Sequence, residues 1–212
     1  MSREENVLNY YLLCNKLKYL IRTGWLNWNV SSSRLESVAE HVFGVEMLAL
    51  SIYSEYKYDI DIKKVIMMLA IHEIGEAVIG DITMFDLSHE EKEKLEHAAV
   101  HNILSSLVSG KEIEELFIEF DEHKTKESIF AFQCDKLEAD LQAKIYDDMG
   151  KVDLNNQEGN NTMNHPLVKE LLDEGNSFGV MWMKFSRENY PYDENFRDIS
   201  DYAMKLKLSK EN

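Results

Sequence analysis

Three ionisable residues, His72, Glu73 and Glu76, interrupt the most apolar segment of the chain, IKKVIMMLAIHEIGEAVI (62–79). Burying an unpaired charge costs on the order of several kcal/mol per ion, so these groups need partners if the segment is buried. His72 and Glu76 share one face of a helix, and Glu73 lies about 100° further round. The three side chains can therefore converge on a divalent cation, although they could also ring the exposed edge of a core helix.

Two further residues that can bind a metal lie on the inward faces of other predicted helices. His41 shares a helix face with Val38 and Val45, and Asp135 follows Phe132 by one helical turn. Each has an ordinary explanation, a hydrogen-bonded core histidine or an aspartate that caps a neighbouring helix. Four imidazole and carboxylate groups on three inward faces nevertheless favour one metal site, with His41, His72, Glu73 and Asp135 as its ligands.

The elements that must position these residues are predicted to be helices. Helical periodicity runs along nearly the whole chain, and only two prolines and nine glycines interrupt it, which predicts an all-α fold. The predicted helices cover residues 7–21, 35–56 with a capping box at Ser33 and Glu36, 62–79, 88–109, 112–119, 127–148, 164–188 and a weaker segment from 192. The helix over 62–79 is apolar on nearly all sides and is the predicted central, buried helix. The polar stretch 150–161 is predicted to be a loop within a single domain covering residues 1–212.

The composition limits the classes of ligand that the protein can bind. The formal net charge is −16 at pH 7, and no run of Lys or Arg forms a basic patch. Such a chain repels nucleic acid and anionic membranes, so we expect neither a long nucleic acid nor a membrane as a partner. A small anion remains possible, because one Arg and a metal ion can override the global field locally.

The cysteines and the first residues favour a cytoplasmic location. Cys14 and Cys134 lie far apart outside any known motif, which is typical of a reducing compartment. The segment MSREENVLNYYLL (1–13) is acidic where a signal peptide would be basic, and no apolar run has transmembrane length.

At this point the order of the residues, a His, a His next to an acid and a distant Asp, resembles that of the HD-domain phosphohydrolases. The closer likeness is to the bacterial YfbR-type 5′-deoxynucleotidases and their eukaryotic relatives, and it covers most of the chain. The segments that carry it are Arg22-Thr23-Gly24-Trp25, Glu36-Ser37-Val38-Ala39-Glu40-His41, the run from His72 to Asp81, Lys92 with Glu96 and Ala99, and Asn164-His165-Pro166.

The resemblance implies an HD-domain helical bundle, a homodimer and a phosphatase that acts on deoxyribonucleoside 5′-monophosphates. One divalent ion (Co, Mn, Mg, Zn or Fe) would activate a water, and Glu76 would orient that water or take its proton. Arg22 would bind the phosphate through its planar fork, which suits two oxygens. By resemblance, Trp25 would lie against the sugar and Asp81 would hydrogen-bond it, so that deoxyribose is preferred.

Glu73 stands where the family has aspartate, and its carboxylate is one methylene further from the backbone. This departure motivates an alternative, a regulatory protein that binds nucleotides without turning them over. Arg22 could also be a surface cation, Trp25 a core residue and Asp81 a turn residue after Gly80.

A second metal site could be formed by His97 and His101, which are four residues apart. Their surroundings, EKEKLEHAAVHNIL, favour a half-exposed helix with a solvated face instead. A two-iron oxygenase is a further alternative, but it needs more inward histidines than the pattern provides.

Overall fold

The computed structural model describes residues 2–83 and 87–209, and over these residues the fold is all-α, as predicted. The α-helices of the described residues are α1 (Arg3–Cys14), α2 (Thr23–Asn27), α3 (Val38–Tyr56), α4 (Ile62–Ile71), α5 (Glu76–Ile79), α6 (His89–Leu104), α7 (Gly110–Glu122), α8 (Lys126–Asp148), α9 (Pro166–Asp173), α10 (Phe178–Asn189) and α11 (Glu194–Lys205). Short 3-10 helices cover Asn15–Lys18 and Asn161–Asn164.

The contacts within the chain define two compact units. The first consists of Met1–Thr23 and Glu36–Phe132, and the second consists of Gly24–Leu35 and Gln133–Asn212. Helix α8 therefore begins in the first unit and continues in the second. The single domain over 1–212 stays a prediction.

The first unit is built around α4, which is packed against α3 and α7, while α5 is packed against α6. Val65, Met68 and Leu69 of α4 are fully buried, as expected for the predicted central helix. A cluster of buried apolar residues lies next to it: Ile71, Ile74, Val100, Ile103, Leu104 and Phe117. This core includes part of the segment 62–79, which contains His72, Glu73 and Glu76.

The second unit has a core rich in aromatic rings. Its buried residues are Trp25, Trp28, Val30, Ala143, Tyr146, Val168, Leu171, Phe178, Met181 and Phe185. Helix α10 is packed against α9 and α11. It also lies so close to α8 that a Cβ at Gly179 would be 2.6 Å from the Cα of Lys144. Only glycine fits at that position without a shift of the backbone.

The predicted capping box of the second helix was wrong. The box at the start of α3 is formed by Ser37 and Glu40, not by Ser33 and Glu36, and the helix begins at Val38. The Arg22 amide donates to the carbonyl of Glu36, and the Val38 amide donates to the carbonyl of Leu20. These bonds hold residues 36–38 in an extended pairing with residues 20–22, so the helix cannot begin earlier.

The helix predicted over 62–79 is interrupted. Helix α4 ends at Ile71, residues 72–75 form a turn, and α5 continues to Ile79. His72 Nδ1 donates to the carbonyl of Leu69, which is the acceptor that a continuous α-helix uses for the amide of Glu73. His72 and Glu73 therefore lie on a turn and not on one regular helix face.

Two other predicted helices also differ in extent. The first ends at Cys14 and is followed by a 3-10 helix, where the prediction continued to Ile21. The predicted helix 164–188 is divided into α9 and α10, because Gly175 between them has a positive φ of 85°. The loop predicted at 150–161 follows α8 and continues to the 3-10 helix at Asn161.

Among the described residues, we find no helix with both the length and the apolar character that crossing a membrane requires.

Candidate metal centre

Two imidazole rings of the first unit face each other. His41 on α3 is fully buried, His72 at the end of α4 is 6% exposed, and their ring centroids are 5.6 Å apart. His72 Nδ1 lies 2.6 Å from the carbonyl oxygen of Leu69. Because a carbonyl only accepts, Nδ1 carries the proton, and a neutral His72 presents the lone pair of Nε2 to its surroundings.

The Glu73 carboxylate lies beside both rings. Its Oε1 is 3.7 Å from Nε2 of His72 and 3.8 Å from Nε2 of His41. One ligand atom from each of these three residues lies within 4.8 Å of the others. Two imidazole nitrogens and a carboxylate oxygen at this spacing form a donor set that suits a divalent cation. The Glu73 carboxylate therefore lies close enough to both imidazoles to share an ion with them, and its role as a ligand stays a prediction.

Arg22 contacts the same carboxylate. Its Nη1 donates to Oε1 of Glu73 at 3.0 Å, and both side chains are mostly buried. Arg22 is therefore not a solvated surface cation. Its guanidinium lies beside the candidate metal ligands, where an anionic substrate group would also be attracted.

Asp135, the fourth predicted ligand, belongs to the second unit. It lies on α8, is 5% exposed, and its Oδ2 is 2.8 Å from Nζ of Lys136. A buried carboxylate on an inward helix face agrees with the sequence analysis. Its role as a metal ligand stays a prediction.

Glu76 is the most deeply buried carboxylate of this segment. Its side chain is 2% exposed, and its Oε1 lies 3.7 Å from Nζ of Lys92. Burial raises its pKa well above the usual range, and the charges of Glu73 and Asp81 add to this shift, whereas Arg22 and Lys92 oppose it. Among the residues that the structure describes, Oε2 of Glu76 has no hydrogen-bond partner. This oxygen is thus buried without a protein donor among those residues.

Asp81 ties the Arg22 segment to the end of α5. Its Oδ2 accepts a hydrogen bond from the Thr23 amide at 2.5 Å, and its carbonyl accepts one from the Thr23 hydroxyl at 2.7 Å. Gly80, which precedes it, has a positive φ of 81°. Asp81 thus has a structural contact beside Arg22, and its predicted bond to a sugar stays a prediction.

Trp25 lies in the core of the second unit. It is 6% exposed, and its ring is edge-on to that of Tyr146, with centroids 5.2 Å apart. This position agrees with the alternative of a core residue. The contact of Trp25 with a sugar stays a prediction.

His97 and His101 do not share a ligand position. His97 Nε2 lies 2.8 Å from Oδ2 of Asp121, and His101 Nδ1 lies 3.0 Å from Oε1 of Glu114. Both acidic partners are on α7, so each histidine contributes to the pairing of α6 with α7. The His97 side chain is 33% exposed and that of His101 is 63% exposed, and the solvated-face interpretation stays a prediction.

The sequence analysis missed Lys92 as a residue of the site. It entered only as part of a resemblance, although its spacing from Glu96 on a charged helix is that of an ion pair. A lysine paired on a helix is common on protein surfaces, and nothing in the pattern distinguishes Lys92 from Lys94. Only the fold shows that one of the two faces Glu76.

The HD domain family model matches residues 14–188 of the chain. A protein of Dictyostelium discoideum named 5′-deoxynucleotidase HDDC2 is 34% identical over 181 residues, which is 78% of this chain and 94% of the relative. The human protein of the same name is 29% identical over 80% of this chain and 84% of its own length.

Solved structures with similar folds are also found. The PH0347 protein from Pyrococcus horikoshii OT3 has a TM-score of 0.68 and 25% sequence identity, and the match covers 93% of this chain and 98% of that one. A structure from Magnetospirillum magnetotacticum MS-1, described as a predicted metal-dependent phosphohydrolase, has a TM-score of 0.66 and 20% identity over 98% of this chain and 93% of its own. At 20% identity this second match supports the fold alone.

Proposed function

The chain belongs to the HD domain family, and we propose that it is a metal-dependent 5′-nucleotidase that releases phosphate from deoxyribonucleoside 5′-monophosphates. The observation that carries this proposal is the arrangement of two buried imidazoles and the Glu73 carboxylate beside Arg22 and Glu76. The names of the relatives supply the substrate class.

We assign the metal to His41, His72, Glu73 and Asp135. The fit rests on the donor set and on the hydrogen bond that directs the His72 lone pair away from Leu69. When bound, a divalent cation lowers the pKa of a water molecule and offsets the negative charge of the phosphoryl oxygens.

The residues of the chain supply the remaining steps of the hydrolysis. Arg22 binds the phosphate through its planar guanidinium, which can contact two oxygens at once. Glu76 orients the attacking water through Oε2 and accepts its proton. The water oxygen forms a bond to phosphorus as the P–O bond to the 5′ oxygen breaks. The proton taken by Glu76 passes to the leaving 5′ oxygen, and the products are a deoxynucleoside and inorganic phosphate. Trp25 and Asp81 are proposed to contact the sugar.

The idea of a regulatory protein without activity rested on Glu73. The position of its carboxylate, 3.7 to 3.8 Å from both imidazoles, supports a working ligand.

We also propose one domain over 1–212, a cytoplasmic location and a homodimer. Two apolar stripes of the first unit support the dimer. Val7, Leu8 and Tyr11 on α1 are 56–61% exposed, and Phe43 and Met47 on α3 are 64% and 43% exposed. Covering such stripes with a second copy would remove apolar surface from water.

The experiment that tests the proposed function is an assay of phosphate release. Deoxy- and ribonucleoside 5′-monophosphates are compared with Co²⁺, Mn²⁺, Mg²⁺ and Zn²⁺, beside a Glu76→Ala variant. We expect release from deoxynucleotides with at least one metal and little from the variant. Equal inactivity of both proteins with every metal and nucleotide would refute the proposal.

A further inference from the structure

Lys92 on α6 and Glu76 on α5 form a contact within the first unit, next to the candidate metal ligands. Glu76 is 2% exposed, and the Lys92 ammonium faces its Oε1 at 3.7 Å. The other oxygen, Oε2, is buried and has no hydrogen-bond partner among the described residues. The two oxygens of one carboxylate are thus differently engaged, because one faces a cation and the other lacks a protein donor among those residues.

A second carboxylate fixes the position of Lys92. Glu96, one turn further along α6, places Oε1 3.3 Å from the Lys92 ammonium. The Lys92 side chain is 26% exposed and that of Glu96 is 17% exposed, so water screens this pair less than a surface pair. Lys92 therefore lies between Glu96 on its own helix and Glu76 on α5.

The same helix contains a matched comparison. Lys94 forms an ion pair with Glu90 at 2.6 Å, also four residues apart, but these side chains are 70% and 78% exposed. Surface pairs of this kind contribute little, about 0–1 kcal/mol. Lys92 and Lys94 thus differ in what they face, and not in residue type or in helix.

We infer that Lys92 is a positioning residue, which holds Oε1 of Glu76 so that Oε2 is directed at the attacking water, with Glu96 fixing the ammonium. This inference rests on the proposed function. A glutamate side chain has three rotatable bonds, and a base must lie within hydrogen-bond reach of its proton in a defined direction. Lys92 restricts that freedom without itself touching the substrate.

The test is a set of substitutions studied by steady-state phosphate release from a deoxyribonucleoside 5′-monophosphate. Lys92→Met keeps an unbranched side chain one atom shorter and removes the charge, Lys92→Arg keeps the charge, and Lys94→Met is the matched control. We expect Lys92→Met to lower kcat about tenfold or more with KM within about twofold. We expect Lys92→Arg to retain most of the wild-type kcat, and Lys94→Met to have the kcat of the wild type.

Lys92→Met is also studied in a Glu76→Gln variant, which shows whether Lys92 acts through Glu76 or independently of it. If Lys92 acts through Glu76, Lys92→Met causes no further loss of kcat once Glu76 is replaced by Gln, since residues that act as a unit are not additive. A merely structural lysine gives the same loss in both backgrounds. Thermal denaturation of each variant shows whether it is folded.

Three results would overturn the inference: an unchanged kcat in Lys92→Met, a raised KM at constant kcat, or additive losses with Glu76→Gln. If Lys92→Met does not fold, Glu96→Gln decides, because it retains the lysine and loosens it. We expect a smaller loss of kcat in Glu96→Gln with the same KM, and an unchanged kcat overturns the inference.

A wild type without activity refutes the proposed function as well. An active wild type together with a Lys92→Met variant of normal kcat refutes only this inference.

Discussion

Glu76 in the first unit and Asp140 in the second are both buried carboxyl groups, and burial raises the pKa of each. Their surroundings differ. Asp140 accepts hydrogen bonds from the Ser186 hydroxyl at 2.7 Å and from the Tyr192 hydroxyl at 3.1 Å, so both its oxygens are engaged. Glu76 faces Lys92 with one oxygen, and among the described residues the other has no hydrogen-bond partner.

The difference separates a structural carboxyl group from one that is available for chemistry. A buried polar group without a partner costs about 1–3 kcal/mol, and more if it is charged. The second unit satisfies both oxygens of Asp140 with protein hydroxyl groups, whereas among the described residues no protein donor satisfies Oε2 of Glu76. In the proposed reaction the attacking water would be the hydrogen-bond partner of Oε2 of Glu76.

The largest expected effect distinguishes the two groups by activity. Glu76→Gln has nearly the same shape but cannot accept a proton, so we expect kcat to fall by about 10²–10⁴-fold. Asp140→Asn is the control, and its kcat should stay within about twofold of the wild type. Steady-state phosphate release measures both variants. If Glu76→Gln and Asp140→Asn lowered kcat equally, the difference in hydrogen bonding between the two carboxyl groups would be unrelated to activity.

How far the sequence predicts this arrangement differs between the two carboxyl groups. Glu76 was predicted because it interrupts an apolar segment beside two other ionisable residues. Asp140 lies in the polar stretch LEADLQAK (137–144), and its donors Ser186 and Tyr192 are more than 40 residues away. No local pattern reveals such a long-range contact.

The boundaries of the helices were also predicted only where they do not depend on the orientation of a side chain or on contacts between distant residues. Periodicity predicted α8 over 127–148, and the observed helix covers Lys126–Asp148. It missed the turn at residues 72–75, because the hydrogen bond from His72 to the Leu69 carbonyl depends on the orientation of one ring. It also placed the α3 capping box four residues too early, because the pairing with residues 20–22 is a tertiary contact.

The next effect concerns the dependence of stability on pH. Burial raises the pKa of Asp140 from 3.8 to about 8. Between these values the folded state retains a proton that the unfolded state has released, so the stability contributed by Asp140 is complete below about pH 4 and is lost as the pH rises to about 8. The free energy of unfolding should fall by up to about 1.4 kcal/mol per pH unit in this window.

Denaturant unfolding of wild type and Asp140→Asn across that window isolates the contribution of Asp140. The amide is neutral in both states, so the difference between the two proteins should depend on pH with the sign given above. A constant difference would show that Asp140 is ionised in the folded protein, and the contrast with Glu76 would then lose its basis.

A smaller effect is expected when Asp140 loses its shorter hydrogen bond. Ser186→Ala removes the donor 2.7 Å from Oδ1, both groups being buried. We expect a loss of about 1–3 kcal/mol in the free energy of unfolding with kcat unchanged. Denaturant unfolding beside the activity assay measures both. A loss of activity greater than the loss of folded protein would place this network in the reaction.

The smallest effect is expected at the longer bond. Tyr192→Phe removes only the hydroxyl 3.1 Å from Oδ2 of Asp140 and keeps the ring stacked on Phe196, so we expect about 0.5–1.5 kcal/mol of destabilisation. Because hydrogen bonds to a charged acceptor are stronger than those to a neutral one, the cost should be greater at about pH 9 than at about pH 6. The same variant in the Asp140→Asn background is the control, and there the cost should not change with pH. An equal cost at both pH values in the wild-type background would show that Tyr192 does not sense the charge of Asp140.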